Sequence, residues 1–209
     1  MSITVFLRVL AVFAVLFTFQ LPSVSIAQTG EVPSESTQIR NTVLALPEAV
    51  RDSATVMGYT NDLELVTLRE GWNGLICIAD HPGDERYSAV CYHESIDPFI
   101  SRGRELREEG VEDAEVYKIR HDEMDAGTLP LPDAGAVLYN MTMPLADFDP
   151  TTAGPALYSI YTPYATAAST GLPDRPAGPG TPWIMRGGTP SAHVMIIAPK
   201  PAEEKEGGY

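Results

Sequence analysis

The sequence predicts an α+β fold in one domain, with a mostly antiparallel sheet and two or three helices. Three observations lead to this. Strand-like runs fill the last third of the chain, at residues 136–143, 156–161, 183–186 and 193–198. Shorter strand-like runs, 63–69, 75–79 and 89–93, precede the midpoint. Two helical stretches, 96–109 and 112–125, lie between the groups. Strands gathered at both ends with helices between them differ from the strict alternation of a parallel βαβ fold.

Each element has a local reason. Residues 28–38 are polar, contain Pro33 and lack apolar periodicity, so 28–53 reads as a tail. Pro47 stands where a first-turn proline belongs, and 48–53 allows a short helical turn. Asn73-Gly74 between 63–69 and 75–79 is a tight-turn signal and predicts a β-hairpin. Residues 80–85 (Asp-His-Pro-Gly-Asp-Glu) are loop. Gly110 sits at a C-terminal cap position after the helix over 96–109. The helix over 112–125 shows little apolar face beyond Val116 and Ile119. Residues 128–133 carry two prolines and connect. Residues 172–182 are rich in Pro and Gly, which predicts a long surface loop. Arg186-Gly187-Gly188-Thr189-Pro190 reads as the turn between the last two strands.

The amino terminus bears on where the protein works. Arg8 is followed by an apolar run over 9–19, then by Ser25-Ile26-Ala27, with small residues at the first and third places before a cut. Residues 1–27 therefore read as a secretory signal peptide. A membrane-spanning helix needs about 20 apolar residues, so this run is too short to remain as an anchor. The domain is expected over 54–199, with a charged tail over 200–209. The expected location is secreted or periplasmic, with no stable membrane insertion after cleavage.

Charge excludes one class of partner. There are 28 Asp and Glu against 14 Lys and Arg, a net charge of −14 over 209 residues. An acidic surface repels phosphate backbones, which argues against nucleic-acid binding. It leaves a small-molecule or protein ligand open.

Cys77 and Cys91 are the two cysteines. In an oxidising compartment a lone pair predicts one disulfide. Strand alternation puts Cys91 and His93 on one face, with Cys77 able to face them from a neighbouring strand. Cys77, His81, Cys91 and His93 are zinc-ligand types, yet structural zinc sites favour close Cys-x2-4-Cys pairs; the disulfide is preferred. Met141 and Met143 share a strand face, as do His193 and Met195, and thioether with imidazole suits copper. Val137 and Tyr139 share the first of those faces, so core packing is preferred there. No cofactor is expected.

The run Ala54-Thr55-Val56-Met57, the run Leu68-Arg69-Glu70-Gly71 with Asn73-Gly74 and Cys77, then Cys91 and His193-Val194-Met195-Ile196, together resemble a family of uncharacterised exported bacterial proteins. The resemblance implies export and a common fold, and no activity.

No Gly-x-Ser-x-Gly elbow, phosphate-binding glycine loop or calcium-loop order occurs. His121-Asp122-Glu123-Met124-Asp125 reads as a solvated helix end. His193 opens an apolar strand after the Gly-Gly-Thr-Pro turn, with Arg186 on the strand before it. These two are the candidate binding residues, for a small anion held under the 172–182 loop. The expected function is a non-catalytic binding or envelope-associated module. The alternative is a small hydrolase using His193 with a serine or acid brought near by folding.

Overall fold

The computed structural model describes residues 31–178 and 180–198. The expected signal peptide over 1–27 and the expected charged tail over 200–209 lie outside the described residues. One eight-stranded sheet runs through the molecule in the order β2-β1-β3-β4-β5-β6-β8-β7. Its strands are β1 (Thr55–Tyr59), β2 (Leu65–Arg69), β3 (Leu75–Ile78), β4 (Arg86–His93), β5 (Val137–Pro144), β6 (Leu157–Tyr161), β7 (Trp183–Met185) and β8 (His193–Ile197). All neighbours pair antiparallel except β1 and β3, which are parallel. The α+β class with a mostly antiparallel sheet is therefore as the sequence predicts. The helices are α1 (Glu35–Thr42), α2 (Asp97–Glu108), α3 (Asp113–Asp125) and the short α4 (Ala167–Thr170).

Both faces of the sheet are covered. Val56, Cys77, Tyr87, Ala89, Cys91 and Met141 point to one face and pack beneath Val43, Ala45 and Leu46. Ile78, Tyr92 and Ala136 point to the other and pack against Ile96 and Phe99 near the start of α2 and Met124 of α3. Period-two alternation separates the two cores along each strand.

Two sequence readings need correction. Within the 28–53 segment, Glu35–Thr42 is not tail: it forms α1, which packs on the sheet. Its sequence lacks an apolar stripe because its buried residues are Gln38 and Thr42. The Gln38 amide donates to the Tyr59 carbonyl at 2.9 Å and accepts from the Tyr59 N–H at 2.8 Å. It thus completes the end of β1 as another strand would. The 63–79 hairpin does not form either, because β1 lies between β2 and β3. Gly71 sits so close to the start of β1 that an added Cβ would lie 2.2 Å from the Thr55 nitrogen. Asn73 donates to the Val50 carbonyl at 3.1 Å and the Ser53 hydroxyl at 2.8 Å, and accepts from the Leu75 N–H at 3.0 Å. The Asn-Gly turn is therefore tied to the segment before β1, and it carries the chain across β1 rather than back along β2.

The disulfide joins register partners: Cys77 faces Cys91 across β3 and β4, Cα to Cα 3.9 Å, within the fully buried core. That is closer than the roughly 4.4–6.8 Å usual for disulfides and than the about 4.5 Å of a non-hydrogen-bonded antiparallel pair. With both sulfurs joined, neither thiolate remains as a zinc ligand.

Candidate functional site

The site grows from the inward face of two helices. On α3 the buried residues are Val116, Arg120 and Met124, a four-residue spacing that places all three on one stripe. Arg120 is 3 % exposed, in a position where an apolar residue belongs. On α2 the buried residues are Phe99, Gly103 and Leu106. Gly103 makes the room that Arg120 occupies: a Cβ there would lie 2.7 Å from Arg120 Nη1 and 3.1 Å from its Cζ.

The guanidinium has uncharged partners only. Its Nη1 donates to the Phe99 carbonyl at 2.9 Å, and Cζ lies 3.8 Å from the Phe99 ring centre and 4.8 Å from that of Tyr117. Nε is buried with no hydrogen-bond partner among the described residues. No described carboxylate pairs with Arg120; Glu105, Glu109, Asp113, Asp122 and Glu123 pair with Arg102, Arg107 and Lys118 instead. Burial pulls the Arg120 pKa below the usual guanidinium value, because an uncompensated charge is disfavoured away from water.

Arg120 lines a cleft of about 520 Å³ between the sheet and α2 and α3. Arg104 and Arg107 from α2 border it as well, and the buried Nη1 of Arg104 also lacks a partner. Tyr59, Phe99, Tyr117 and Tyr161 give it aromatic walls, and Ser88 and Asn140 rise from the central strands β4 and β5. His81 and Asp84 also border it. Burial raises the pKa of Tyr59 and pushes that of Tyr161 up to about 12, so both hydroxyls keep their protons near neutrality.

His193 and Arg186 stand against two of these walls. His193 is buried at the start of β8, its ring 5.3 Å from that of Tyr161, and its Nδ1 donates to the Ser191 carbonyl at 2.7 Å. Arg186 follows β7, and its Cζ lies 3.7 Å from the Tyr117 ring centre. The Tyr117 ring thus contacts both Arg186 and Arg120. The 172–182 loop runs beside β7, where Pro173 accepts from the Ile184 N–H at 2.9 Å. The turn after β7 is fastened to 164–165 by Tyr164 N–H to Thr189 O and Gly188 N–H to Ala165 O, each 2.8 Å.

A serine and a histidine also meet here. His121 Nε2 and Ser191 Oγ are 2.6 Å apart. Burial, with Arg186 and Arg120 nearby, lowers the His121 pKa, and burial first lowers that of His193. Both rings are thus neutral near pH 7. Ser191 is 1 % exposed, and His193 meets its carbonyl rather than its hydroxyl. On the opposite core, Met141 is fully buried, and Met143 packs against it. No group of three or more metal-ligating His, Cys, Asp or Glu occurs among the described residues.

Arg120, Arg104, Ser88 and Asn140 were not among the residues that sequence reasoning singled out. The available signal was a charged residue at a buried helical spacing, Val116–Arg120–Met124, opposite a glycine in the facing stripe. No family model, no curated protein and no solved structure matches this chain.

Proposed function

We propose that the chain is an exported, non-catalytic binding module that holds a small organic anion in the cleft between the sheet and α2 and α3. One observation carries the reading: Arg120 is buried against the cleft with no carboxylate partner and an unpartnered Nε. Buried charges are ordinarily paired, so a guanidinium lining a cavity is matched by an anion from solution. Its volume lies within the roughly 300–1,000 Å³ typical of small-molecule sites. His193 and Arg186 serve here by positioning the Tyr161 and Tyr117 rings. Export is supported by the buried disulfide, since such bonds persist in oxidising compartments.

The 2.6 Å contact between His121 and Ser191 favours a hydrolase as the second reading. The burial of Ser191 keeps that reading behind the first, because a nucleophile must reach its substrate.

The test is a thermal-shift panel of small carboxylates, phosphate and sulfate at fixed ionic strength. A ligand at about 100 times its Kd stabilises by roughly 2.7 kcal/mol. At least one anion should raise Tm saturably, and Arg120→Met should abolish that rise. Silence across the panel, or an equal response from the variant, rejects the reading.

A further inference from the structure

Beyond its arginines, the cleft carries polar groups of a different kind. Ser88 and Asn140 lie on adjacent central strands, where Val90 faces Asn140 and Ser88 faces Thr142. Alternation puts both on the α2 and α3 side, the side of Ile76, Ile78, Val90, Tyr92 and Leu138. Every one of those neighbours is apolar or aromatic. A serine and an asparagine in the middle of such a floor cost packing area, and each borders the cleft instead.

The chemistry of the two sets differs. A guanidinium only donates, so Arg104 and Arg120 match an oxyanion. An amide and a hydroxyl each donate and accept, as do the protonated Tyr59 and Tyr161 phenols. Groups that do both are matched by ligand hydroxyls, which also do both. A carboxylate alone only accepts, so a bare aromatic acid offers no donor to the Asn140 carbonyl. The aromatic walls then suit the C–H faces of a ring that carries those hydroxyls.

Resting on the anion-binding reading above, we infer that the occupant is a hydroxylated carboxylate of sugar-acid type. Its carboxylate lies against Arg120 and Arg104, and its hydroxyls lie against Asn140 and Ser88.

Isothermal titration with three probes tests this: D-glucuronate, D-glucose, which lacks the charge, and benzoate, which lacks the hydroxyls. Glucuronate should bind at least tenfold more tightly than either of the others. Asn140→Leu should weaken glucuronate about tenfold and leave benzoate within twofold. Ser88→Ala, which removes only one hydroxyl, should weaken glucuronate alone by a smaller factor. Circular dichroism establishes that each variant is folded, and the milder Ser88→Ala decides the matter if Asn140→Leu is not. Benzoate binding as tightly as glucuronate overturns the sugar-acid assignment and leaves anion binding standing. Glucose binding as tightly as glucuronate overturns it too, because the arginines would then not be the anchor. Failure of glucuronate to bind overturns the assignment, and the anion panel separately decides whether the cleft binds anions at all.

Discussion

Gly103→Ala separates a structural glycine from one that makes room for a functional arginine. In the interior of an exposed helix this change stabilises by about 0.5–1 kcal/mol, through backbone entropy and propensity. Here the new methyl would lie 2.7 Å from Arg120 Nη1 and 3.1 Å from Cζ. Arg120 must move, and its bond to the Phe99 carbonyl, worth about 1.5–3 kcal/mol for a charged donor, is lost or strained. Its contact with the Phe99 ring, about 0.5–2 kcal/mol, weakens as well. The loss outweighs the propensity gain, so the variant should be destabilised by about 1–2 kcal/mol. In an Arg120→Met background the charged atom left beside the methyl is Arg107 Nη1, at an ordinary 3.4 Å, and the same change should stabilise by about 0.5–1 kcal/mol. Urea unfolding of the four proteins in a double-mutant cycle reads the difference as a coupling energy. A Gly103→Ala that stabilises the parent protein, or a coupling below about 0.5 kcal/mol, refutes the idea that Gly103 exists to admit Arg120.

Two further outcomes follow from features away from the cleft. Reducing Cys77–Cys91, which spans 14 residues of sequence, should lower stability by about 3 kcal/mol; a urea midpoint that does not move with reductant contradicts this. Asp80 accepts from the Ser88 N–H at 2.7 Å, and burial raises its pKa to about 6. Because the folded pKa exceeds the unfolded value, its contribution to stability is full at low pH and is lost as pH rises through about 6. Asp80→Asn keeps an acceptor oxygen and should flatten the fall in Tm between pH 4.5 and 7.5; an unchanged fall shows that Asp80 is not its source.

The elements that sequence made legible are those whose pattern is carried by their own side chains. Strands β4 to β8 fall on the strand-like runs 89–93, 136–143, 156–161, 183–186 and 193–198, and α2 closes with the Gly110 N–H bonded to the Arg107 carbonyl, as its cap glycine implies. The elements that misled are held by partners distant in sequence. Helix α1 has buried amide and hydroxyl groups in place of an apolar stripe, so its pattern looks like a tail until Tyr59 is placed beside Gln38. The Asn73-Gly74 turn is real, but where it sends the chain is decided by Val50, Ser53 and the backbone before Thr55. Local turn chemistry sets the bend, and tertiary contacts choose the strand that follows it.

The candidate site was hidden for a related reason: its central residue breaks the pattern by which cores are recognised. Read alone, Arg120 weakens the apolar face of α3, and Gly103 weakens the helix it lies on. Together they fit, since one makes the space the other fills. The choice of partners gives this pair its direction. In a chain with twice as many acidic as basic side chains, a counter-charge for Arg120 was available from either helix. Yet Glu123 is turned outward to Arg102, Asp113 to Arg107 and Asp122 to Lys118. The exposed Arg107–Asp113 and Lys118–Asp122 pairs contribute about 0–1 kcal/mol each, whereas one carboxylate beside Arg120 would relieve a much larger desolvation cost. A fold built only for stability would place the acid inside, or an apolar residue at position 120. Leaving a buried guanidinium open to a cleft, with a second arginine and amphoteric polar groups beside it, is the arrangement expected when the anion arrives from outside the chain.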